Sequence, residues 1–432
     1  MFGTLISGVK EDDLVSLAEE YGTPLFVYCQ KQLENNLNNL KKGLPDRARI
    51  AYSIKANPNP DIIRFFFDSG INVEAASEGE LHLALASGVS GNKVMVGGPA
   101  KSASIIKLAL QNHIKTINVE SENENQTVLR VSQSLGLFPR ILLRINPSAV
   151  QGSMGLAMGG RPSQFGIDEY KVVDLLKRLS YNSKNTLYGV FMYAGSQIFD
   201  EKIIAENTEH LFALAKKISN TISAPLQMLD FGGGFGVPES LGQRPLDMGK
   251  LRVLLDNVFK AYAKDSFCEN TECIFESGRF LTASAGIYIS RVLDKKESQD
   301  KHFLITDGGI NHIGIRQKCY RTHEPEIITL HNSYLKKNSF TIVGPTCTPI
   351  DTTHKCAELP DIEVGDYIAM LNMGAYALSY SPVYFCGHGP AAEILIEPNG
   401  NRKLIRSRTF GIASCGTGFR LESISTPYVG RR

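Results

Sequence analysis

Lys55 ends a short apolar run, in Ala51-Tyr52-Ser53-Ile54-Lys55-Ala56-Asn57-Pro58. That is an unusual place for a solvated cation, because it is where a barrel strand would end and its loop begin. A lysine amine held in a partly desolvated pocket has a lowered pKa and condenses with aldehydes. Lys55 is therefore a candidate anchor for pyridoxal 5'-phosphate. Such a site also needs a phosphate cradle, a partner for the ring nitrogen and a proton donor.

Candidates for each part follow along the chain. Gly232-Gly233-Gly234-Phe235-Gly236 comes after the strand-like Met228-Leu229-Asp230-Phe231. Glycines there let backbone N–H groups approach a phosphate closely, and barrel phosphate sites sit on the loops after the seventh and eighth strands. The competing reading is a tight turn. Glu276-Ser277-Gly278-Arg279 closes the next strand-like run. A glutamate can pair with a protonated pyridine nitrogen, and an arginine can clamp a phosphate or carboxylate; a surface ion pair competes with both. Tyr193 precedes Gly195-Ser196-Gln197. Ser196 suits a phosphate, and Tyr193 suits a flat ring or a core. Gly344-Pro345-Thr346-Cys347-Thr348-Pro349 holds a lone cysteine, either inert or catalytic. In Asn372-Met373-Gly374-Ala375-Tyr376, Tyr376 is a phosphate ligand or ordinary packing.

The surrounding pattern predicts how these residues are carried. Eight apolar runs, at 50–54, 72–75, 93–96, 116–119, 140–145, 187–193, 226–231 and 273–275, alternate with amphipathic stretches. Ser77 with Glu80, and Ser121 with Glu124, are capping boxes opening two of the helices. Further helices are expected at 61–67, 102–110, 168–179, 205–218 and 249–263. The alternation predicts an α/β (β/α)8 barrel. Beyond Arg279 strand-like runs at 286–293, 302–306, 341–343, 367–371 and 393–396 lack long helices between them, which predicts a C-terminal all-β domain. Asn399-Gly400 is a hairpin signal. The expected organisation is an N-terminal segment, 1–29, packing with the β domain, a barrel over 30–279, a β domain over 280–408 and a tail over 409–432.

Composition removes several classes. The 46 basic and 44 acidic residues leave a net charge of +2, which argues against nucleic-acid binding. No apolar run approaches the roughly 20 residues of a membrane span, and the start reaches Lys10-Glu11-Asp12-Asp13 too soon for a signal peptide. Eight scattered cysteines without a C-x-x-C pair are a cytoplasmic pattern. The histidines form no ligand pair, so no metal is expected.

Taken in order, Ser53-Ile54-Lys55-Ala56-Asn57, the glycine run, Glu276-Ser277-Gly278-Arg279, Gly344-Pro345-Thr346-Cys347 and Gly374-Ala375-Tyr376 resemble the fold-type III pyridoxal-phosphate decarboxylases. These act on diaminopimelate, ornithine or arginine and share the alanine-racemase-like fold. The resemblance implies that Lys55 carries the cofactor as a Schiff base and Glu276 faces the pyridinium nitrogen. Ser196, Gly232, Gly233, Gly234, Gly278, Arg279 and Tyr376 hold the phosphate or its surroundings. Cys347 protonates the substrate carbon across the interface of a homodimer with shared sites. Arg279, His312, Thr348 and Tyr376 are candidate substrate contacts.

Two positions depart from the family pattern. Tyr193 stands where a histidine usually stacks on the cofactor, which retains an aromatic face. Thr348 stands where the diaminopimelate and ornithine enzymes have an acid that binds the substrate's distal ammonium. A buried ammonium without a counter-ion is costly, so Thr348 argues against a diamino acid. Met158-Gly159-Gly160-Arg161-Pro162-Ser163-Gln164-Phe165-Gly166, Cys347-Thr348-Pro349 and Leu378-Ser379-Tyr380-Ser381-Pro382-Val383 resemble a narrower group, the carrier-protein-bound L-glutamate decarboxylases of butirosin-type antibiotic biosynthesis. That resemblance implies a glutamyl or aspartyl-type thioester on an acyl carrier protein. Two basic runs, at 402–408 and at Arg316, Lys318 and Arg321, face two readings: a surface for an acidic carrier, or ordinary solvated charge. The alternatives are a free amino-acid decarboxylase such as one for diaminopimelate, a racemase on the same kind of barrel, and a catalytically dead regulatory homologue.

Overall fold

A computed structural model describes residues 6, 8–149, 156–157, 159–179, 187–238, 243–265, 268–314, 324–330 and 337–411. The described chain divides into two compact units.

The unit containing Asn35–Pro238 and Gln243–Thr282 is a closed parallel barrel. Its strands are Ala48–Ser53, Asn72–Ala75, Val94–Val96, Thr116–Val119, Ile141–Asn146, Leu187–Met192, Met228–Asp230 and Glu272–Ser277. Each pairs in parallel with the next, and the eighth returns to the first through Glu276↔Ala51 and Ser277↔Tyr52. Parallel strands covered by helices are buried on both faces, which is why they read as apolar runs rather than alternating ones. All eight expected runs are strands.

The expected helices form from their caps. Ser77 Oγ accepts the Glu80 N–H at 3.2 Å, and Ser121 Oγ accepts the Glu124 N–H at 3.1 Å. In both, the glutamate reaches one residue further back than a standard capping box, to the N–H of Ala76 and of Glu120, each at 2.7 Å. These bonds fasten the end of a strand to the start of the next helix.

Inside the barrel, Ala51, Met95, Leu142, Phe191, Met228 and Ile274 form one apolar cluster. Side chains two residues apart share a face of a strand. The next inward layer, towards the C-terminal ends, therefore holds Ser53, Arg144, Asp230 and Glu276, with Glu74 and Asn118 buried in neighbouring strands. The filling changes from hydrocarbon to charge in one step.

The second unit gathers the described parts of 1–34 and 283–411. Its long strand Gly286–Ser298 pairs antiparallel with Leu25–Cys29, Lys301–Thr306 and Tyr367–Met370. Leu25–Cys29 also pairs in parallel with Ala392–Ile396. Asn338–Val343 and Thr352–Leu359 extend one side, and Arg402–Arg406 forms the other edge, reached through Gly400 at φ +85°. Four strands exceed the expectation: Leu25–Cys29, Ile327–Thr329, Thr352–Leu359 and Arg402–Arg406. The last two carry charges on a half-exposed surface, so neither shows as an apolar run; charged edges also discourage pairing with a second chain. Among the described residues no helix is long and apolar enough to cross a membrane, and no cluster of His, Cys, Asp and Glu could hold a metal ion.

Candidate active site

Lys55 lies in a single helical turn, Ile54–Ala56, directly after the first barrel strand. Its Nζ is 3.2 Å from Glu74 Oε2; the lysine side chain is 44% exposed and the glutamate 4%. The amine thus stands at the mouth of the barrel with a buried carboxylate beneath it.

The glycine run is required by packing. A Cβ on Gly232, Gly233 or Gly234 would stand 2.7 Å from Tyr193 Cδ2, 2.2 Å from the Glu276 carbonyl oxygen and 2.1 Å from the Gly195 carbonyl oxygen. Gly232 and Gly234 also have φ of +62° and +99°, a region that side chains avoid. The loop is tied at both ends. Gly232 N–H donates to Asp230 Oδ1 at 2.9 Å, and Gln197 exchanges hydrogen bonds with the backbone of Val237 at 2.9 and 3.1 Å. Ser196, half-buried, lies on the two-residue strand Gly195–Ser196 beside this loop.

Glu276 is buried near the end of the eighth strand, and Arg279, also buried, opens the short helix that follows. A Cβ on Gly278 would meet Ala56 Cβ at 2.7 Å. Gly278 therefore lets the Glu276–Arg279 turn sit against the Lys55 turn.

Burial, and then the charge of Asp230, hold the Glu276 carboxyl well above the usual carboxylate range. Burial pushes Asp230 up to about 7, with the nearby Glu74 charge adding to it, and burial pushes Glu80 up to about 7 as well. Arg144 pairs with Glu120 at 3.0 Å and lies between the rings of Phe165 and Phe191, at 4.6 and 5.2 Å. Glu120 also accepts the Gly166 N–H at 3.0 Å. Phe165-Gly166 of the sequence motif is thereby fixed to the barrel wall, while Met158 of that motif lies outside the described residues.

Glu74, Asp230 and Arg144 were not among the residues singled out from the sequence, and Glu80 was singled out only as part of a helix cap. The available signal was a charge inside a short, fully buried parallel strand, as in Asn72-Val73-Glu74-Ala75 and Met228-Leu229-Asp230. Such a charge must point into the barrel's polar end or be paired.

The remaining candidates belong to the second unit. Cys347 is exposed, on the loop after Asn338–Val343. That loop is pinned by Asp351, whose Oδ2 accepts the N–H of Thr346 at 2.8 Å and whose Oδ1 accepts the N–H of Ile310 at 2.8 Å. Thr348 is half-buried, its N–H donating to the Thr346 carbonyl at 2.8 Å. Tyr376 has φ +54°, and Gly374 before it donates its N–H to the Ala283 carbonyl at 3.0 Å. His312 is buried; Nδ1 accepts from the Tyr288 hydroxyl at 3.0 Å, and Nε2 donates to the Gly389 carbonyl at 3.0 Å. Burial lowers its pKa to about 4, so the ring is neutral and both nitrogens are used within the fold.

Comparison with known proteins agrees with this construction. Residues 30–283 match the pyridoxal-binding domain of the pyridoxal-dependent decarboxylases. Over 425 residues the chain is 34% identical to the L-glutamyl-(BtrI acyl-carrier protein) decarboxylase of Niallia circulans, covering 96% of this chain and 98% of the relative. It is 32% identical to the diaminopimelate decarboxylase of Aquifex aeolicus over 414 residues, covering 93% and 92%. Among solved structures, the diaminopimelate decarboxylase of M. jannaschii superposes with a TM-score of 0.85 at 26% identity, over 94% of each chain. The chain belongs to the pyridoxal-dependent decarboxylase family. It is a lyase, and its cofactor is pyridoxal 5'-phosphate.

Proposed function

We propose that this decarboxylase removes the α-carboxylate of a glutamyl or aspartyl-type unit held as a thioester on an acyl carrier protein, in a biosynthetic pathway. The observation that carries this reading is the environment of Thr348. Within residues 344–351, all described, Asp351 is the one acid, and both of its oxygens are occupied by Thr346 and Ile310. The loop offers no carboxylate to the distal ammonium of a diamino acid, whereas a side chain esterified to a carrier has no such charge. The likeness to a relative named for a carrier-bound glutamyl substrate supports the same reading.

The barrel end fits the cofactor. Among the described residues, Glu276 Oε1 is buried without a hydrogen-bond partner, as befits an acceptor for a ring N–H. The glycine loop leaves backbone where any side chain would collide. In this reading Lys55 binds the cofactor covalently, Tyr193 lies on the ring, and Glu276 accepts the ring N–H. Ser196, Gly232, Gly233, Gly234, Gly278, Arg279 and Tyr376 hold the phosphate and its surroundings. When bound, the protonated ring draws off the electron pair left on the α-carbon as carbon dioxide departs. The protein operates as a homodimer, and Cys347 of the partner subunit delivers the proton that replaces the carboxylate. Arg279, Thr348, Tyr376 and His312 complete the substrate side, His312 by holding the backbone at Gly389.

The basic run at 402–408 does not support a carrier surface. Arg402 bonds Ser16 and Glu20 at 3.0 and 3.2 Å, Arg406 bonds Glu393 at 2.6 Å, and Arg408 bonds the Pro24 carbonyl at 2.9 Å. These cations serve the sheet edge. Arg316, Lys318 and Arg321 lie outside the described residues.

The test is mass spectrometry of carrier proteins loaded with glutamate or aspartate, beside the free amino acids and diaminopimelate. Loss of carbon dioxide from the carrier-bound form alone is expected. Turnover of diaminopimelate alone would replace this reading with that of a free amino-acid decarboxylase.

A further inference from the structure

Asp230 and Glu276 lie on adjacent parallel strands in the same inward layer at the polar end of the barrel, buried to 0% and 5% exposure, and the Glu276 N–H donates to the Gly232 carbonyl at 2.8 Å. Asp230 Oδ1 is committed to the Gly232 N–H at 2.9 Å. Among the described residues, Asp230 Oδ2 and Glu276 Oε1 have no hydrogen-bond partner. Two neighbouring carboxylates, both buried, cannot both be ionised at moderate cost.

The neighbouring cations do not relieve the pair. The charged groups facing it are Glu74, Lys55 and Arg144. Lys55 is matched by Glu74 at 3.2 Å and Arg144 by Glu120 at 3.0 Å, so these four sum to no net charge. The dyad alone would then carry two negative charges, and one bound proton reduces that to one. A single residual negative charge is what a protonated ring nitrogen neutralises.

We propose that Asp230 is a positioning residue which shares one proton with Glu276, aims Glu276 at the cofactor's ring nitrogen, and ties that carboxylate to the glycine loop through Gly232. This rests on the reading that Glu276 meets the ring nitrogen. One side chain thereby couples the two ends of the cofactor site. The direction of the titration agrees, since burial raises both carboxyls above the ordinary range.

The apoenzyme provides a test independent of turnover. Infrared difference spectroscopy of the Glu80→Gln protein, which lacks the other carboxyl that burial raises to about 7, should show a buried carboxyl that stays protonated above the ordinary carboxylate range. Asp230→Asn and Glu276→Gln should each abolish that band, because either amide donates to the remaining carboxylate. Asp230→Asn keeps an acceptor for Gly232 and should bind cofactor within about threefold of wild type, whereas Asp230→Ala should bind about tenfold more weakly, the scale of one lost hydrogen bond. Absence of the band in the Glu80→Gln protein, or its persistence when either amide substitution is added to that protein, overturns the shared proton. Equal cofactor affinity in Asp230→Asn and Asp230→Ala overturns the link to the loop. If instead the band behaves as expected but Glu276→Gln retains full turnover in the holoenzyme, the ring-nitrogen reading fails while the dyad stands.

Discussion

A Cβ at Gly233 would stand 2.2 Å from the carbonyl oxygen of Glu276. The glycine loop and the strand that carries the buried carboxylate are thus in backbone contact, and neither can move without the other. Gly233→Ala should therefore shift both, costing about 1–3 kcal/mol of stability and weakening cofactor binding by at least about tenfold. Gly79→Ala is the control: its nearest would-be contact is 3.9 Å away, on a helix, and it should leave cofactor binding unchanged and raise stability by up to about 1 kcal/mol. Thermal melts and cofactor titrations of the two variants check this.

Lys55→Ala should remove the covalently held cofactor. After borohydride reduction, intact-protein mass spectrometry should find the cofactor's mass on the wild type and none on the variant. Turnover should fall to background. Normal turnover by Lys55→Ala would end the assignment of this residue.

Cys347→Ala should slow protonation of the α-carbon by roughly 10²–10⁴-fold, the range for a lost general acid, and increase abortive transamination. If the site is shared between subunits, inactive Lys55→Ala and Cys347→Ala proteins should complement on mixing. Random pairing restores roughly a quarter of wild-type activity, because half the dimers carry one intact site. No recovery in subunits shown to exchange would place both residues in one chain's site.

Thr348→Asp should introduce the counter-charge this loop lacks. Turnover of a diamino acid should rise, and that of the carrier-bound acyl substrate should fall about tenfold, as like charge and desolvation oppose it. Competition between the two substrates measures both effects at once.

Glu80 gives a pH dependence of defined sign. Burial raises its carboxyl from 4.5 to about 7 in the folded protein, so folding binds a proton there. The contribution to stability is complete below the ordinary carboxylate range and is lost as pH rises through about 7. Glu80→Gln keeps an oxygen to accept the Ala76 N–H. It should match wild type near pH ~4 and be more stable by up to about 3 kcal/mol near pH ~8. Equal melting temperatures at both pH values would contradict the shift.

The barrel was legible because each of its strands is buried on both faces. The run at 50–54 and the strand Ala48–Ser53, or 187–193 and Leu187–Met192, differ by only a residue or two. The β unit was less legible. Thr352–Leu359 alternates buried and exposed residues with His354 and Lys355 among them, and Arg402–Arg406 is a basic edge. The run at 402–408 could be read as a partner surface or as solvated charge; its Arg402 bonds Ser16 and Glu20 and its Arg408 the Pro24 carbonyl, all almost four hundred positions earlier. Lys55, Glu276 and the glycines stood out because each sits at a strand end beside a recognisable turn. Glu74 and Asp230 did not, because one acid in a short apolar run acquires meaning only when the sheet closes and brings it under Lys55.

Leu25–Cys29 lies between Gly286–Ser298 and Ala392–Ile396 in its sheet. On the ribosome this strand emerges early, and its two neighbours follow only after the whole barrel has been made. Its native pairing partners are absent until then. This sheet is therefore completed only late in synthesis, after the whole barrel sequence has left the ribosome.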